Sequence, residues 1–266
     1  MGGLVGLVLD ERQACILEMV REAGFASIDA LAERFAVTPQ TIRRAVNRLC
    51  EKGLLRRLHG GVGLPVPTQN LAYESRQVLN LAAKRRIAAR VAAFLPDDAS
   101  LFLGIGTTPE QVALALAERR NLHVITNSFN VAAALARNPE IEITMAGGTL
   151  RPRDRDIIGA AAASFFAHFK ADFGVFGVGG IDEDGTFLDF YVGEVEARQA
   201  IVANSRTAIL VADRSKFGRN ATVRGGHIRD VDHFFTDAAV PPAFAMVMAE
   251  AEIEVHVAGT KEEEAA

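Results

Sequence analysis

Cysteine is scarce in this 266-residue chain. It occurs twice, at Cys15 and Cys50, with no C-x-x-C pair, and the six histidines are scattered. A disulfide framework, a structural zinc site or any other metal centre is therefore not expected. Both cysteines fall in helical patterns among apolar neighbours and read as buried, reduced thiols. No apolar run approaches the roughly 20 residues that span a bilayer. The apolar start, residues 1–9, lacks a basic region and runs straight into Asp10-Glu11. It reads as a frayed tail or an early start codon rather than a signal peptide, and the compartment expected is the cytoplasm. Charge of either sign is not in large excess: 29 Lys+Arg against 33 Asp+Glu give −4. With 49% hydrophobic and 23% charged residues, the chain is neither a disordered tail nor a fibre. Its length allows one large domain or two ordinary ones with a sizeable core. Taken whole, the acidic balance speaks against a nucleic-acid partner.

The balance is uneven along the chain. Residues 1–60 carry nine Lys+Arg and seven Asp+Glu, whereas residues 61–266 carry twenty and twenty-six. Residues 38–59 hold six basic side chains against one acid, Glu51. Such asymmetry points to a nucleic-acid or membrane contact, or to a solvated basic face.

The basic window sits in a recognisable pattern. Residues 11–21 predict an amphipathic helix that stops at Gly24. Ser27 caps a second helix reaching Phe35, and Ala36-Val37 form a short turn. Thr38 then caps a third helix, with Pro39 at its first position, where the missing N–H costs nothing. Ile42, Val46 and Leu49 recur at helical spacing and must face a core. Gln40, Arg43, Arg44, Asn47 and Glu51 fall on the opposite face, with Thr41 and Arg48 on the flanks. Beyond Gly53, residues 54–62 read as two short strands around Gly60-Gly61. Together these elements predict a winged helix-turn-helix, its third helix entering the major groove. Gln and Asn suit adenine edges, Arg suits guanine edges, and other basic groups hold phosphates. The candidate DNA contacts are Thr38, Gln40, Thr41, Arg43, Arg44, Asn47 and Arg48 on the helix, and Arg56, Arg57 and His59 on the wing. A plain three-helix subdomain with a solvated basic face is the alternative. The stretch Glu11-Arg12-Gln13, Thr41-Ile42-Arg43-Arg44 and Glu51-Lys52-Gly53-Leu54-Leu55-Arg56-Arg57-Leu58-His59-Gly60-Gly61 resembles the DNA-binding domain of the DeoR family of bacterial repressors. That family usually has Asp directly after the Thr-Ile-Arg-Arg run, where this chain has Ala45.

Residues 63–69, rich in Pro and Gly, mark a linker. The domains expected are a winged helix-turn-helix over 10–63, a linker over 64–70, an effector-binding domain over 71–258 and a disordered tail over 259–266. Residues 71–94 read as one helix. Strands are expected at 100–103, 123–126, 141–146, 173–177, 207–212 and 233–236, with helices starting near Pro109, Asn130, Gly159 and Glu194. This alternation predicts an α/β domain with a mainly parallel sheet, whose ligand lies beyond the carboxyl ends of the strands.

Small, polar and Gly-rich loops collect at those ends. Gly104-Ile105-Gly106-Thr107-Thr108 precedes a helix N-terminus, an arrangement that cradles anions. It lacks the third Gly and the ribose-binding acid of a dinucleotide site, and the Gly-Lys-Ser/Thr of a Walker loop. Thr126-Asn127-Ser128, Gly147-Gly148-Thr149-Leu150-Arg151, Gly177 to Asp182, and Asp213 to Gly218 follow later strands. Together they describe a pocket for a small phosphorylated polyol, with Lys216 as the point charge for phosphate. Asp213 to Arg219 could equally be a charged surface turn.

These loops also resemble the effector domain of the DeoR family, which shares a superfamily with ribose-5-phosphate isomerase. The resemblance runs from about residue 10 to Thr236-Asp237. Ile105-Gly106-Thr107-Thr108-Pro109-Glu110, Arg153-Asp154, Asp172-Phe173-Gly174, Gly180-Ile181-Asp182 and Ser215-Lys216-Phe217-Gly218-Arg219-Asn220-Ala221 look most like members answering to glycerol 3-phosphate. This implies glycerol 3-phosphate as the allosteric ligand, with no cofactor. Of an acid, an aromatic and a His that those members carry around residues 190–194, only Glu194 is matched here. The effector candidates are Gly104, Gly106, Thr107, Thr108, Thr126, Asn127, Ser128, Gly147, Gly148, Arg151, Gly179, Asp182, Glu194 and Lys216. The function implied is a repressor released from double-stranded operator DNA by a phosphorylated ligand, acting as a homodimer or homotetramer on paired half-sites. Another sugar-phosphate inducer is one alternative. A sugar-phosphate isomerase using Asp172, Asp182 or Glu194 as base is the other.

Overall fold

The computed structural model describes residues 9–23, 25–58, 60–63 and 70–259. They divide into two compact units, Met1–Leu79 and Asn80–Ala266.

In the first unit, α1 (Glu11–Ala23), α2 (Ile28–Arg34) and α3 (Pro39–Glu51) close on Ile16, Leu17, Val20, Leu31, Ile42, Val46 and Leu49. Both expected caps are made: Ser27 Oγ accepts from the Ala30 amide at 3.1 Å and Thr38 Oγ1 from the Thr41 amide at 3.3 Å. Each such cap contributes about 1 kcal/mol. The turn between α2 and α3 is tight enough to hold Ala36 at φ 50°, a left-handed conformation costing an L-residue about 1 kcal/mol. The wing has three strands rather than two. Here β1 (Phe25–Ser27), β2 (Arg56–Leu58) and β3 (Gly61–Gly63) form an antiparallel sheet in the order β1-β3-β2. Three residues before a helix carry no readable period, so β1 has no sequence signal.

Two expectations need correction. Cys15 is exposed and Cys50 half-buried, because Ile16, Leu17 and Val20 already occupy the core-facing stripe of α1. Burial pushes the Cys50 thiol up, with Arg57 opposing. The single helix expected over 71–94 is two: α4 (Tyr73–Val78) in the first unit and α5 (Leu81–Phe94) in the second. Asn80, at φ 52°, breaks them apart. The Ser75 hydroxyl donates to the Lys52 carbonyl, tying α4 to the end of α3.

The second unit runs β4 (Ser100–Leu103), α6 (Thr107–Leu116), β5 (Leu122–Thr126), α7 (Phe129–Leu135), β6 (Ile141–Met145), α8 (Ala160–Phe166) and β7 (Ala171–Phe176). It continues through β8 (Gly180–Ile181), β9 (Thr186–Asp189), α9 (Val192–Asn204), β10 (Ser205–Val211), β11 (Val223–His227), β12 (His233–Thr236), α10 (Pro242–Glu250) and β13 (Glu254–Val257). Seven strands form one parallel sheet in the order β13-β12-β10-β7-β4-β5-β6. All six expected strands lie in it. The sheet is buried on both faces, as parallel sheets are. Leu101, Leu103, Val175, Ile209 and Val211 pack with Ile87, Val91, Val112 and Leu116 of α5 and α6. Phe102, Phe176 and Leu210 pack with Phe166, Ile201 and Met248 of α8, α9 and α10. Each fully buried side chain of this size contributes about 1.5–3 kcal/mol.

From β4 the chain winds outward to β5 and β6, then returns to the other side of β4 and winds through β7, β10, β12 and β13. The reversal lies between β4 and β7, and in open α/β sheets the ligand crevice lies beyond the strands' carboxyl ends at such a point. A second sheet, antiparallel and in the order β11-β9-β8, was not expected. Its strands are short, and the residues of β8 read as part of a pocket loop. Arg198, buried on α9, donates to the Asp189 carboxylate and the Gly225 carbonyl and so fixes this sheet to the domain.

Candidate DNA-binding and effector sites

The face of α3 opposite its core stripe is cationic. Gln40, Arg43, Arg44 and Arg48 are exposed, while Thr41 and Asn47 are half-buried. The Thr38 and Thr41 hydroxyls lie 3.0 Å apart at the start of the helix. Arg56 and Arg57 are exposed on the wing, and Arg57 donates to Asn47 Oδ1, linking wing and helix. His59 falls outside the described residues. Ala45 belongs to the core cluster and is 9% exposed, so the position where an Asp is usual faces inward here. The structure thus brings nine of the ten candidate DNA contacts onto one small unit.

In the second unit, the loop after β4 lies at the reversal point. Gly106, at φ 118°, precedes α6, and no side chain caps the first-turn amides. Thr107 and Thr108 open the helix and are buried. Gly104 donates its amide to the Val175 carbonyl at 2.9 Å, and a side chain there would press on Ile201. An uncapped helix N-terminus carries partial positive charge and unpaired N–H groups, which suit an anion.

Beside this crevice, at the end of β10, stands Asp213, 1% exposed. Its Oδ1 accepts from Asn80 Nδ2 at 2.8 Å and from the Ser215 amide at 3.0 Å. Burial works to raise this carboxyl, but Lys216 and Lys84, with the Ser215 and Asn80 hydrogen bonds, hold it below the usual range. Lys84 is itself buried, on α5. Lys84 and Lys216 thus act together on one buried carboxylate at the carboxyl edge of the sheet. Asp237, next along the edge, is pushed up by burial and accepts from the Arg214 amide at 2.7 Å. Lys84 and Asn80 are not among the expected site residues, and Asp213 is expected only as part of the loop that carries Lys216. Lys84 had a signal: it occupies a position of the apolar stripe that continues through Ile87, Ala88 and Val91.

The other candidates divide by place. Thr126, Asn127 and Ser128 are buried at the end of β5 and largely spent on structure. Thr126 Oγ1 donates to the Leu103 carbonyl at 2.7 Å, Asn127 Nδ2 to the Ile157 carbonyl at 2.7 Å, and Ser128 Oγ caps Val131. Asn127 Oδ1, Asn130 Nδ2 and Thr236 Oγ1 are buried without a partner among the described residues, and all three belong to this carboxyl edge. Buried polar atoms of this kind call for a ligand or water.

Gly147 and Gly148 follow β6 at the sheet margin. Arg151 forms a fork with Asp156 at 2.7 and 2.8 Å, reaches Glu194 at 2.9 Å and lies 5.0 Å over the Tyr191 ring. Burial opposes its charge, but Asp156 and Glu194 more than offset this and raise its pKa. Gly179 donates its amide to Asp189 at 2.7 Å, and a Cβ there would lie 2.7 Å from the Leu188 carbonyl. Asp182 is exposed in the turn between β8 and β9, its amide paired with the Thr186 carbonyl. Asp172, weighed as a base, sits at the opposite end of the sheet. Its carboxylate accepts from Ser100 Oγ at 2.6 Å and the Ser100 amide at 3.0 Å, which lower its pKa. It is a strand anchor, not part of the crevice.

Comparison with known proteins agrees with the two-unit organisation. Residues 12–68 match the DeoR-like helix-turn-helix domain and residues 79–238 the DeoR C terminal sensor domain. The glycerol-3-phosphate regulon repressor of Escherichia coli is 44% identical over 247 residues, 93% of this chain and 98% of that protein. The HTH-type transcriptional repressor CsqR of the same organism is 40% identical over 252 residues, 95% of this chain and 97% of that protein. Among solved structures, the ribose 5-phosphate isomerase of Methanocaldococcus jannaschii aligns with a TM-score of 0.39 and 17% identity, over 53% of this chain and 56% of that one. No helix among the described residues is long and apolar enough to cross a membrane. With both domains matched in order and curated relatives aligned nearly end to end, the chain belongs to the DeoR family of helix-turn-helix transcription regulators.

Proposed function

We propose that this chain is a cytoplasmic repressor that leaves its operator when glycerol 3-phosphate occupies the crevice between β4 and β7. The observation that carries this reading is the convergence of Lys84 and Lys216 on the buried Asp213 carboxylate, at the sheet edge that also holds the uncapped start of α6. That combination suits a small phosphorylated ligand: the ammonium groups and helix amides take the phosphate, and Asp213 or the orphaned polar atoms take hydroxyls. The name of the 44% identical relatives supports glycerol 3-phosphate in particular. On the first unit, Arg43, Arg44 and Arg48 enter the groove with α3, and Arg56 and Arg57 hold phosphate from the wing. A homodimer or homotetramer presents two such units to paired half-sites. Linkage requires the ligand to bind the DNA-free form more tightly, and DNA to weaken the ligand by the same factor.

Gel shift on DNA upstream of glycerol-use genes, with and without glycerol 3-phosphate, tests the reading. Retardation that the ligand reverses is expected; DNA left unshifted at low salt overturns it. A second reading keeps the repressor and changes the ligand. It is favoured by residues 190–194, where of the acid, aromatic and His of the glycerol 3-phosphate members only Glu194 is matched, and where Tyr191 lies under Arg151. Thermal-shift screening separates the two: stabilisation by a hexose or pentose phosphate but not by glycerol 3-phosphate selects the second.

A further inference from the structure

Away from the crevice, two histidines and a glutamate converge. Parallel pairing of β12 with β13 sets His233 opposite Glu254 and Phe235 opposite His256. Residues alternate faces along a strand, so His233, Glu254 and His256 share one face of the sheet. His233 Nδ1 lies 3.2 Å from His256 Nε2 and 3.2 Å from Glu254 Oε2, and His256 Nε2 lies 3.5 Å from Glu254 Oε1. Tetrahedral zinc with bonds of 2.0–2.1 Å would place its donors about 3.3 Å apart. The observed separations are of that size, with the two imidazole nitrogens facing the two oxygens of one carboxylate.

The two rings are also held in place. His256 stacks on Phe235 at 4.2 Å with the planes 12° apart, and Phe94 packs on His233 at 4.7 Å and on His256 at 5.5 Å. The His side chains are 18% and 12% exposed and that of Glu254 64%, so the open side faces solvent through the carboxylate. His233 and Glu254 begin their strands, which puts the triad at the edge opposite the effector loops. Arg90 stands close enough to act on His256, and the Glu254 carboxylate supplies the opposing charge.

We propose that His233, Glu254 and His256 bind one zinc-class divalent ion per chain. Two imidazole nitrogens and one carboxylate select a borderline transition ion over magnesium or calcium, which take oxygen ligands. Three protein ligands leave a fourth position for water. With the site at the far edge of the sheet, its occupancy is separable from phosphorylated-ligand binding in the crevice.

The test is equilibrium dialysis of the full-length, tag-free, chelator-washed chain against zinc, with cobalt absorption reporting the geometry. One equivalent of zinc and intense tetrahedral-type cobalt bands are expected. His256→Gln should abolish both. Glu254→Gln alters an exposed side chain without threatening the fold and should weaken zinc by at least roughly tenfold. No zinc uptake by the wild type, or uptake that Glu254→Gln leaves unchanged, overturns the proposal and makes the 3.2 Å contact a hydrogen bond between imidazoles.

Discussion

Lys84 is the sharpest test of the effector site, because its removal separates ligand binding from folding. Lys84→Met keeps the length and apolar stem of a side chain buried on α5 and deletes only the ammonium group. Asp213 retains Lys216, Asn80 and Ser215, so the carboxylate is still compensated. A charge-assisted hydrogen bond contributes about 1.5–3 kcal/mol, which is about 10- to 100-fold in affinity for a phosphorylated ligand. Ligand at 100 times the wild-type dissociation constant stabilises the native state by about 2.7 kcal/mol. The same concentration is only about 1–10 times the variant's constant and stabilises it by about 0.4–1.4 kcal/mol. For a unit the size of Asn80–Ala266, about 2–4 °C per kcal/mol converts these to shifts of about 5–11 °C and 1–6 °C. Differential scanning fluorimetry with glycerol 3-phosphate reads both. Operator affinity without ligand should not change, since Lys84 lies outside the helix-turn-helix, and the variant should repress with poor induction. A folded Lys84→Met protein with the full wild-type shift would refute the placement of the ligand.

Three further outcomes follow from particular contacts. Arg151→Met removes the guanidinium that pairs with the carboxylates of Asp154, Asp156 and Glu194, at 6%, 2% and 9% exposure. Breaking a buried pair costs 3–5 kcal/mol, and partial exposure of the Arg brings this to about 3 kcal/mol in urea denaturation followed by circular dichroism; a loss below about 1 kcal/mol would show that the fork is decorative. Asp213 has a depressed folded-state pKa, so its stability contribution is present above the unfolded value near 3.9 and is lost as pH falls through the folded value. Asp213→Asn should therefore show its largest deficit at neutral pH and converge on the wild type in strong acid; an equal deficit at every pH contradicts the assignment. Arg56→Ala on the wing should weaken specific and non-specific DNA alike and reduce the slope of log K against log salt by about 1, whereas a change confined to one base position would make Arg56 a base reader.

The framework was open to sequence reasoning where side chains repeat with a period or end an element. Ser27, Thr38 and Pro39 announced two helix starts, and six strands were visible as short apolar runs between amphipathic stretches. What stayed hidden depends on pairing between distant residues. The β8–β9–β11 sheet has strands of two to five residues, too short for alternation to register. The break at Asn80 shows only as a left-handed backbone inside a helix-compatible run. Within the site, Gly106, Thr107 and Thr108 were legible because a Gly-rich strand end before a helix has a local motif. Asp213 with Lys84 was not: it joins the end of β10 to α5 across the fold, and only the sheet order brings them together. The His233–Glu254–His256 triangle was invisible for the same reason, its members being separated in sequence and united by the register of two parallel strands.

The same blindness affects charge. Residues 61–266 hold twenty basic and twenty-six acidic side chains, and this sum alone makes the sensor region a poor host for a phosphorylated ligand. Most of those charges are exposed, where water and salt reduce each to a small effect over about 8–10 Å. Lys84 and Asp213 are buried, where a single charge weighs several times more. A region can therefore be acidic in total and still hold a buried ammonium group at the one place where desolvation counts. The first unit obeys the same logic in reverse: its excess of two positive charges is modest, but five exposed Arg side chains lie on α3 and the wing, where a duplex would meet them. For both partners, DNA and phosphorylated ligand, recognition rests on where the fold puts a few cations, and the net charge of −4 carries no information about either.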